Sequence, residues 1–101
     1  MGLFSFLTGN KTDKINEFKS RGAIVIDVRT KAEFSQGCIP GSKNIPLQVI
    51  SSQITTIKKL NKPIIVCCAS GMRSASAASI LNSNGIETVN GGGWLSLRSK
   101  L

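Results

Sequence analysis

Two adjacent cysteines, Cys67 and Cys68, stand a few residues ahead of Arg73 in the stretch VCCASGMRS, residues 66–74. Either thiol could be a nucleophile, because the thiolate is the reactive form of cysteine and a nearby cation favours it. Four residues separate Cys68 from Arg73, and five separate Cys67 from Arg73. The two spacings belong to different chemistries, so the choice between the cysteines largely decides what the protein does.

The residues after Cys68 predict a loop that holds an anion. A buried strand is expected to end here and a helix to begin soon afterwards, and the first amides of a helix have no partners within it. A loop that curls over such amides forms a nest of N–H groups that favours negative charge. We therefore expect the Cys68 thiolate to be stabilised without a general base. The candidate loop combines small residues, a glycine that tolerates positive φ and a cation: Ala69, Ser70, Gly71, Met72 and Arg73.

Strands and helices alternate along the chain. Apolar runs predict buried strands at residues 23–28 and 63–67, and a third strand is expected at residues 86–89. Residues 47–60 carry one apolar helical face, and residues 74–83 predict another helix. This alternation favours an α/β fold with three layers, α/β/α, around a central, mainly parallel sheet. Ligands bind beyond the carboxyl ends of the strands in such sheets, which is where the candidate loop lies.

Shorter elements complete the predicted fold. Residues 12–22 predict a helix, and a capping box at residues 30–33 predicts a helical turn or two. A turn at residues 39–42 and a very short strand at residues 43–46 follow. Residues 90–93, with the sequence NGGG, predict a flexible turn ahead of a final helix.

Composition excludes several kinds of site. A chain of 101 residues suits one small domain, and we expect it at residues 11–101 behind a loose or weakly docked N-terminal arm at residues 1–10. The chain has no histidine, which removes Cys–His dyads, Ser–His–Asp triads and most zinc sites, so we expect no metal and no cofactor. Its three cysteines, two of them adjacent, do not make a disulfide framework.

Charge and hydropathy bear on partners and location. The net charge of +8 should attract small anions or acidic proteins. Scattered lysines and only five aromatic residues argue against a dedicated nucleic-acid module. We expect no membrane-spanning segment. We also expect no signal peptide, because the start of the chain lacks a basic region, and no myristoyl group, because Phe6 stands where the myristoylation pattern has serine or threonine. These features predict a cytoplasmic protein.

In their order and spacing, the motifs resemble those of the single-domain rhodanese family of sulfurtransferases. Residues 25–47 carry Asp-Val-Arg, Glu-Phe, Gly, Ile-Pro-Gly and Asn-Ile-Pro in the order of the family's first signature. Residues 64–81 look like its active-site strand, loop and helix, and residues 85–97 look like its closing strand, glycine pair and tryptophan. The resemblance implies a rhodanese-like fold.

The resemblance also implies an activity and a catalytic residue. The family's loop runs Cys-x-x-Gly-x-Arg, which matches Cys68, Gly71 and Arg73. In rhodaneses the cysteine takes a sulfane sulfur from a donor such as thiosulfate, becomes a persulfide and passes the sulfur to cyanide, a thiol or a partner protein. Such covalent catalysis predicts ping-pong kinetics. We expect a thiosulfate sulfurtransferase with a small anionic donor, a thiol or acidic protein as acceptor, and nucleic acid only through a tRNA-thiolation partner.

Further positions take supporting roles from the same resemblance. Asp27 is expected to accept hydrogen bonds near the loop. Arg29 is expected to pair with Glu33, the alternative being that it draws in the anionic donor. Trp94 is expected to pack in the core, the alternative being a place at the mouth of the active site.

One position departs from the family pattern. Where rhodaneses commonly have Gly-His-Ile-Pro-Gly, this chain has Cys38 in place of the histidine. One interpretation is that a small buried residue fills the space. The other is that Cys38 approaches Cys68 and receives or resolves its persulfide as a disulfide.

Two other functions stay open at this point. The spacing counted from Cys67 would suit a cysteine phosphatase or an arsenate-type reductase, although the run PIIVC predicts that Cys67 ends a strand and packs against a layer. A non-catalytic persulfide carrier or docking module that serves a biosynthetic partner would have the same loop as an enzyme.

Overall fold

Four parallel strands form the central sheet of the protein, which we describe from a computed structural model for residues 11–101. The strand order across the sheet is β2-β1-β3-β4, and each neighbouring pair is parallel. The predicted N-terminal arm, residues 1–10, lies outside the described residues. The strands are β1 at Ile24–Asp27, β2 at Lys43–Asn44, β3 at Ile64–Cys68 and β4 at Thr88–Gly93.

Each connection between successive strands contains a helix. The capping box predicted at residues 30–33 is present, because the Thr30 side chain accepts the Glu33 N–H and the Glu33 side chain accepts the Thr30 N–H. Within residues 11–101, no helix is long and apolar enough to cross a bilayer. The helices are α1 at Lys11–Ser20, α2 at Lys31–Ser35, a 3-10 helix at Leu47–Gln53, α3 at Ile54–Lys59, α4 at Met72–Ser83 and α5 at Trp94–Arg98.

The pleat of β3 divides the core into two clusters. Successive side chains of a strand point to opposite faces of the sheet, and every residue of β3 is buried. Ile64, Val66 and Cys68 pack on the face covered by the 3-10 helix, α3 and α4, whereas Ile65 and Cys67 pack on the face covered by α1 and α5. The predicted three-layer α/β/α fold is therefore confirmed.

Three predicted elements differ from the structure. Residues 47–60 begin as a 3-10 helix and become α-helical only at Ile54. Helix α4 begins at Met72 rather than residue 74, since Gly71 takes a positive φ of 105° and turns the chain directly into the helix. Residues 90–93 belong to β4 rather than to a flexible turn, and they carry a register shift opposite Val66 and Cys67.

The glycines of β4 provide close approach rather than flexibility. A Cβ at Gly91 would lie 2.9 Å from Ile65 Cγ2, 2.9 Å from Leu97 Cδ2 and 3.1 Å from the Val66 carbonyl oxygen. Real Cβ atoms do not approach other heavy atoms so closely, so a side chain at this position would push β4 away from β3 and α5.

A substitution of Gly91 tests this packing. Gly91→Ala should lower the free energy of unfolding by about 1–3 kcal/mol, because overpacking strains a close-packed core. Urea titration followed by circular dichroism measures the change, and Ser76→Ala, at an exposed position of α4, is the control and should stay within about 0.5 kcal/mol of the parent chain. Equal stability of the two variants would contradict the proposed close approach.

Candidate active site

Cys68 ends β3 at the carboxyl edge of the sheet and faces the amino end of α4. Its Sγ accepts a hydrogen bond from the Gly71 N–H at 3.0 Å and another from the Ser74 N–H at 3.4 Å. The left-handed conformation of Gly71 turns this N–H towards the sulfur, and a glycine adopts that conformation without strain. Two backbone amides after Cys68 therefore point at one sulfur atom, and the binding of an anion by residues 69–73 stays a prediction.

The same contacts favour the thiolate of Cys68. Burial raises the pKa of this thiol, but hydrogen bonds from the Ser74 hydroxyl and from the N–H groups of Ser74, Gly71 and Ser70 outweigh that effect and hold the pKa below its usual value. Hydrogen bonds to an anion stabilise the charged form, and helix-end amides supply them without a cationic side chain.

Cys67 has the opposite environment. Its side chain is fully buried in the cluster between the sheet and helices α1 and α5. Burial raises the pKa of Cys67 to about 12, and the neighbouring charge of Asp27 adds to the effect. Of the two adjacent thiols, Cys68 is the one whose thiolate is favoured near neutral pH.

Arg73 holds a carboxylate at the edge of the loop. Its Nη1 donates to Glu33 Oε1 at 2.7 Å and its Nη2 donates to Glu33 Oε2 at 3.0 Å. The Arg73 hydrogen bonds, together with the Thr30 N–H, lower the pKa of Glu33 to about 2. The cation expected to face the anion site is thus shared with a carboxylate.

Arg29 does not form the ion pair with Glu33 that the resemblance implied. It binds Asp27, which is fully buried and accepts the Arg29 N–H and Nε at 3.0 Å and the Arg29 Nη2 at 2.7 Å. Its link to Glu33 is a 3.3 Å hydrogen bond from Nη1 to the backbone carbonyl. The physical reason is that Asp27 lies two residues away on the same buried strand end, whereas the Glu33 carboxylate is drawn to Arg73.

Trp94 packs beside this ion pair. The Arg29 guanidinium carbon lies 4.6 Å from the centroid of the Trp94 ring, and a Cβ at Gly37 would lie 3.1 Å from the edge of the ring. The indole is half-buried against the cluster that contains Cys67. These contacts are those of a packing residue that also stacks on a cation.

Cys38 is a free, half-buried thiol. The next residue, Ile39, packs in the same cluster as Cys67, and Cys38 itself helps to raise the pKa of Cys67. Cys68 packs on the other face of the sheet. Cys38 therefore lies nearer to Cys67 than the disulfide interpretation assumed. A Cys38–Cys68 linkage stays a prediction.

The sequence analysis missed two polar residues of the site, Ser74 and Asn90. Ser74 Oγ lies 3.4 Å from Cys68 Sγ and donates a hydrogen bond to Asn90 Oδ1 at 2.7 Å. Asn90 Nδ2 in turn donates to the Gly71 carbonyl oxygen at 3.1 Å. A signal for Ser74 was available, because it shares the buried face of α4 with Ala77 and should therefore have a polar partner. Asn90 gave no such signal, since NGGG is typical of a turn.

No group of three or more cysteines, aspartates and glutamates within residues 11–101 is placed to hold a metal ion. The chemistry available here is that of one buried thiolate surrounded by amides. Ala69 and Ser70, on the outside of the loop, are exposed to solvent.

Comparison with known proteins shows related chains. The sequence model of the rhodanese-like domain family matches residues 11–97 of this chain. The chain is 38% identical over 81 residues to the uncharacterized protein YqhL of Bacillus subtilis, covering 78% of this chain and 64% of that protein. It is 34% identical over 66 residues to a sulfurtransferase of Allochromatium vinosum, covering 65% of this chain and 61% of that protein. It is 37% identical over 73 residues to the thiosulfate sulfurtransferase GlpE of Ectopseudomonas mendocina, covering 72% of this chain and 66% of that protein. The matched segments thus span less than two thirds of these relatives.

Solved structures share the fold. The crystal structure of a rhodanese-like domain protein from Staphylococcus aureus has a TM-score of 0.69 and 32% identity, covering 83% of this chain and 86% of that one. A rhodanese with anions from E. coli has a TM-score of 0.66 and 32% identity, covering 73% of this chain and 89% of that one. Since the domain match takes in most of the chain and the architecture agrees with it, the protein belongs to the rhodanese-like domain family.

Proposed function

We propose that the protein is a rhodanese-type sulfurtransferase that moves a sulfane sulfur from a small anionic donor such as thiosulfate to a thiophilic acceptor. The observation that carries this proposal is the position of Cys68 Sγ within hydrogen-bonding distance of the Gly71 and Ser74 amides, in surroundings that lower its pKa. The sulfurtransferase names of two relatives support the same class of reaction.

The reaction takes two steps at one sulfur atom. The Cys68 thiolate attacks the outer sulfur of thiosulfate, the sulfur–sulfur bond of the donor breaks, and sulfite leaves with the bonding electron pair. The persulfide formed carries its negative charge on the outer sulfur, which the loop amides can stabilise. An acceptor such as cyanide then attacks that sulfur, thiocyanate leaves, and the Cys68 thiolate returns. No proton needs a general base in either step, which agrees with a chain that has no histidine.

Burial of the nucleophile favours small donors. Only 1% of Cys68 is exposed, so a donor must reach the sulfur past the loop at residues 69–72. Thiosulfate is small and doubly charged, and its terminal sulfur projects from the sulfonate group. These properties suit a narrow site lined with N–H groups.

The contacts of Cys67 argue against a phosphatase or arsenate-type reductase. The required spacing would make Cys67 the nucleophile, yet its thiol lies on the other face of the sheet with a pKa of about 12. The aspartate nearest to it, Asp27, is fully buried and already bound to Arg29, so it is poorly placed to protonate a leaving group.

A persulfide carrier that works with a partner protein is the second candidate. One large apolar side chain next to the loop is exposed: Met72, which follows Gly71, at 79%. Exposed apolar groups beside a reactive site suit contact with another protein. Slow thiosulfate:cyanide turnover together with fast sulfur transfer to a partner protein would favour this candidate.

Serine substitutions of the two adjacent cysteines test the proposed nucleophile. Cys68→Ser should abolish thiocyanate formation from thiosulfate and cyanide, because the hydroxyl cannot carry the sulfur. Cys67→Ser, the matched control, should keep most of the activity. After thiosulfate treatment, intact mass and peptide mapping should find one added sulfur on Cys68 in the parent chain. Full activity in Cys68→Ser would refute the proposal.

The pH dependence of alkylation tests the two thiol environments. The pKa of Cys68 is lowered, so its thiolate is present above that pKa and is lost as the pH falls through it. Iodoacetamide should therefore modify Cys68 near neutral pH, with a rate that rises with pH and then levels off, whereas Cys67 stays protonated until the pH approaches about 12. Peptide mapping of the folded protein measures both rates. Equal labelling of the two cysteines near neutral pH would contradict this assignment.

Removal of the Glu33 charge tests the sharing of Arg73. Glu33→Gln frees the guanidinium for the donor and removes a negative charge beside the site, so KM for thiosulfate should fall about twofold to fivefold with little change in kcat. Glu87→Gln is the matched control, because Glu87 pairs with Arg21 just ahead of β4, at the amino end of the strands. An unchanged or higher KM in Glu33→Gln would show that the ion pair instead holds Arg73 in place for the donor.

A further inference from the structure

The amide of Asn90 has a fixed orientation between two backbone groups. Its Oδ1 accepts the Gly92 N–H at 2.9 Å, and its Nδ2 donates to the Gly71 carbonyl oxygen at 3.1 Å. A backbone N–H can only donate and a carbonyl can only accept, so rotating the amide by half a turn would break both hydrogen bonds. Asn90 Oδ1 is therefore an acceptor for any further partner.

This orientation decides where the Ser74 proton goes. Ser74 Oγ lies 2.7 Å from Asn90 Oδ1 and must donate to it, and a hydroxyl has only one proton. The 3.4 Å contact between Ser74 Oγ and Cys68 Sγ is then made by the thiol proton, with Cys68 as donor. The chain of donors runs from Cys68 through Ser74 to Asn90 as long as Cys68 is protonated.

A thiolate has no proton to give, and it competes with Asn90 for the Ser74 hydroxyl. We propose that Asn90 is a positioning residue that holds the Ser74 hydroxyl proton while Cys68 Sγ is uncharged and releases it to Sγ when this sulfur is a thiolate. The inference rests on the proposed function, in which Sγ alternates between these two conditions.

The persulfide returns the hydroxyl to Asn90. When Cys68 carries a second sulfur, the negative charge lies on the outer atom and Sγ is a neutral, weak acceptor. Asn90 thus stabilises the sulfur-loaded state relative to the free thiolate, because it gives Ser74 a good acceptor in the first state and competes with Sγ in the second. Without the Asn90 carbonyl, the hydroxyl would serve the thiolate unopposed.

Other ionisable groups do not explain such an effect. Arg73, on α4, interacts electrostatically with Cys68 and is bound to Glu33 of α2. Cys67, on β3, stays a neutral thiol, and the Asp27–Arg29 pair at the end of β1 acts on Cys67. Within residues 11–101, none of these groups makes a hydrogen bond to the side chain of Ser74 or Asn90.

A double-mutant cycle separates this role from a merely structural one. The pH profile of Cys68 alkylation by iodoacetamide is measured for the parent chain, Asn90→Ala, Ser74→Ala and the double variant. Asn90→Ala should lower the pKa of Cys68 by about half a unit, which is roughly threefold more thiolate at a pH below that pKa. The same substitution should have no effect in the Ser74→Ala background. An equal shift in both backgrounds, or a rise in pKa with Ser74 present, would overturn the proposal.

A second variant covers the case in which Asn90→Ala does not fold, which thermal unfolding reveals. Asn90→Asp keeps the acceptor oxygen and strengthens it, and it loses the hydrogen bond to the Gly71 carbonyl oxygen equally with and without Ser74. The pKa of Cys68 should therefore rise, and rise more with Ser74 present than in Ser74→Ala. Equal rises would mean that only the added charge acts and would overturn the proposal.

Sulfur loading gives a readout that separates the two proposals. At a pH above the pKa of Cys68 and at fixed concentrations of thiosulfate and sulfite, the ratio of persulfide to free Cys68 in Asn90→Ala should fall about threefold relative to the parent chain, measured by mass spectrometry. If the parent chain gains no sulfur at Cys68, the proposed function fails, while the alkylation cycle still tests the coupling of Asn90 to Ser74. If the parent chain loads sulfur and the ratio of persulfide to free Cys68 is unchanged in Asn90→Ala, the inference fails and the proposed function stands.

Discussion

The site depends on a contact between two stretches of backbone, the loop after Cys68 and the glycines of β4. A Cβ at Gly93 would lie 2.8 Å from the Ala69 carbonyl oxygen, and one at Gly71 would lie 3.3 Å from Gly92 Cα. Without side chains between them, the loop rests directly on the strand. This contact holds Gly71 in its left-handed conformation and so directs its N–H at the sulfur of Cys68.

The negative charge of a thiolate is stabilised here by dipoles rather than by free cations. The two arginines nearest to the site each hold a carboxylate, since Arg73 binds Glu33 and Arg29 binds Asp27. The net charge of +8 belongs to the chain as a whole, whereas the arginines nearest to the site are neutralised by carboxylates. In the proposed reaction, amides at the start of a helix would be oriented in advance and would need no reorganisation as charge moves from one sulfur to the next.

The features that follow from local pattern could be predicted from the sequence, whereas those that depend on distant contacts could not. Apolar runs predicted two of the buried strands, and the capping box at Thr30 follows from residue types three positions apart. The ion-pair partners did not follow, because two arginines and two carboxylates meet at one edge of the sheet and only their geometry selects the pairs. NGGG is typical of a turn when taken alone, and only the proximity of β3 and the loop explains why it is a strand.

The pleat of β3 explains why two adjacent cysteines cannot exchange roles. A shift of one residue along a strand moves a side chain to the other face of the sheet. Cys68 meets the amides of the loop, and Cys67 meets the apolar residues beneath α1 and α5. A nucleophile counted from Cys67 would thus be separated from the anion nest by the sheet itself, whatever its distance from Arg73 along the chain. The spacing counted from Cys68 is the one in which the thiol and the amides share a face. The pleat, rather than the number of residues before Arg73, therefore decides which thiol meets the amides.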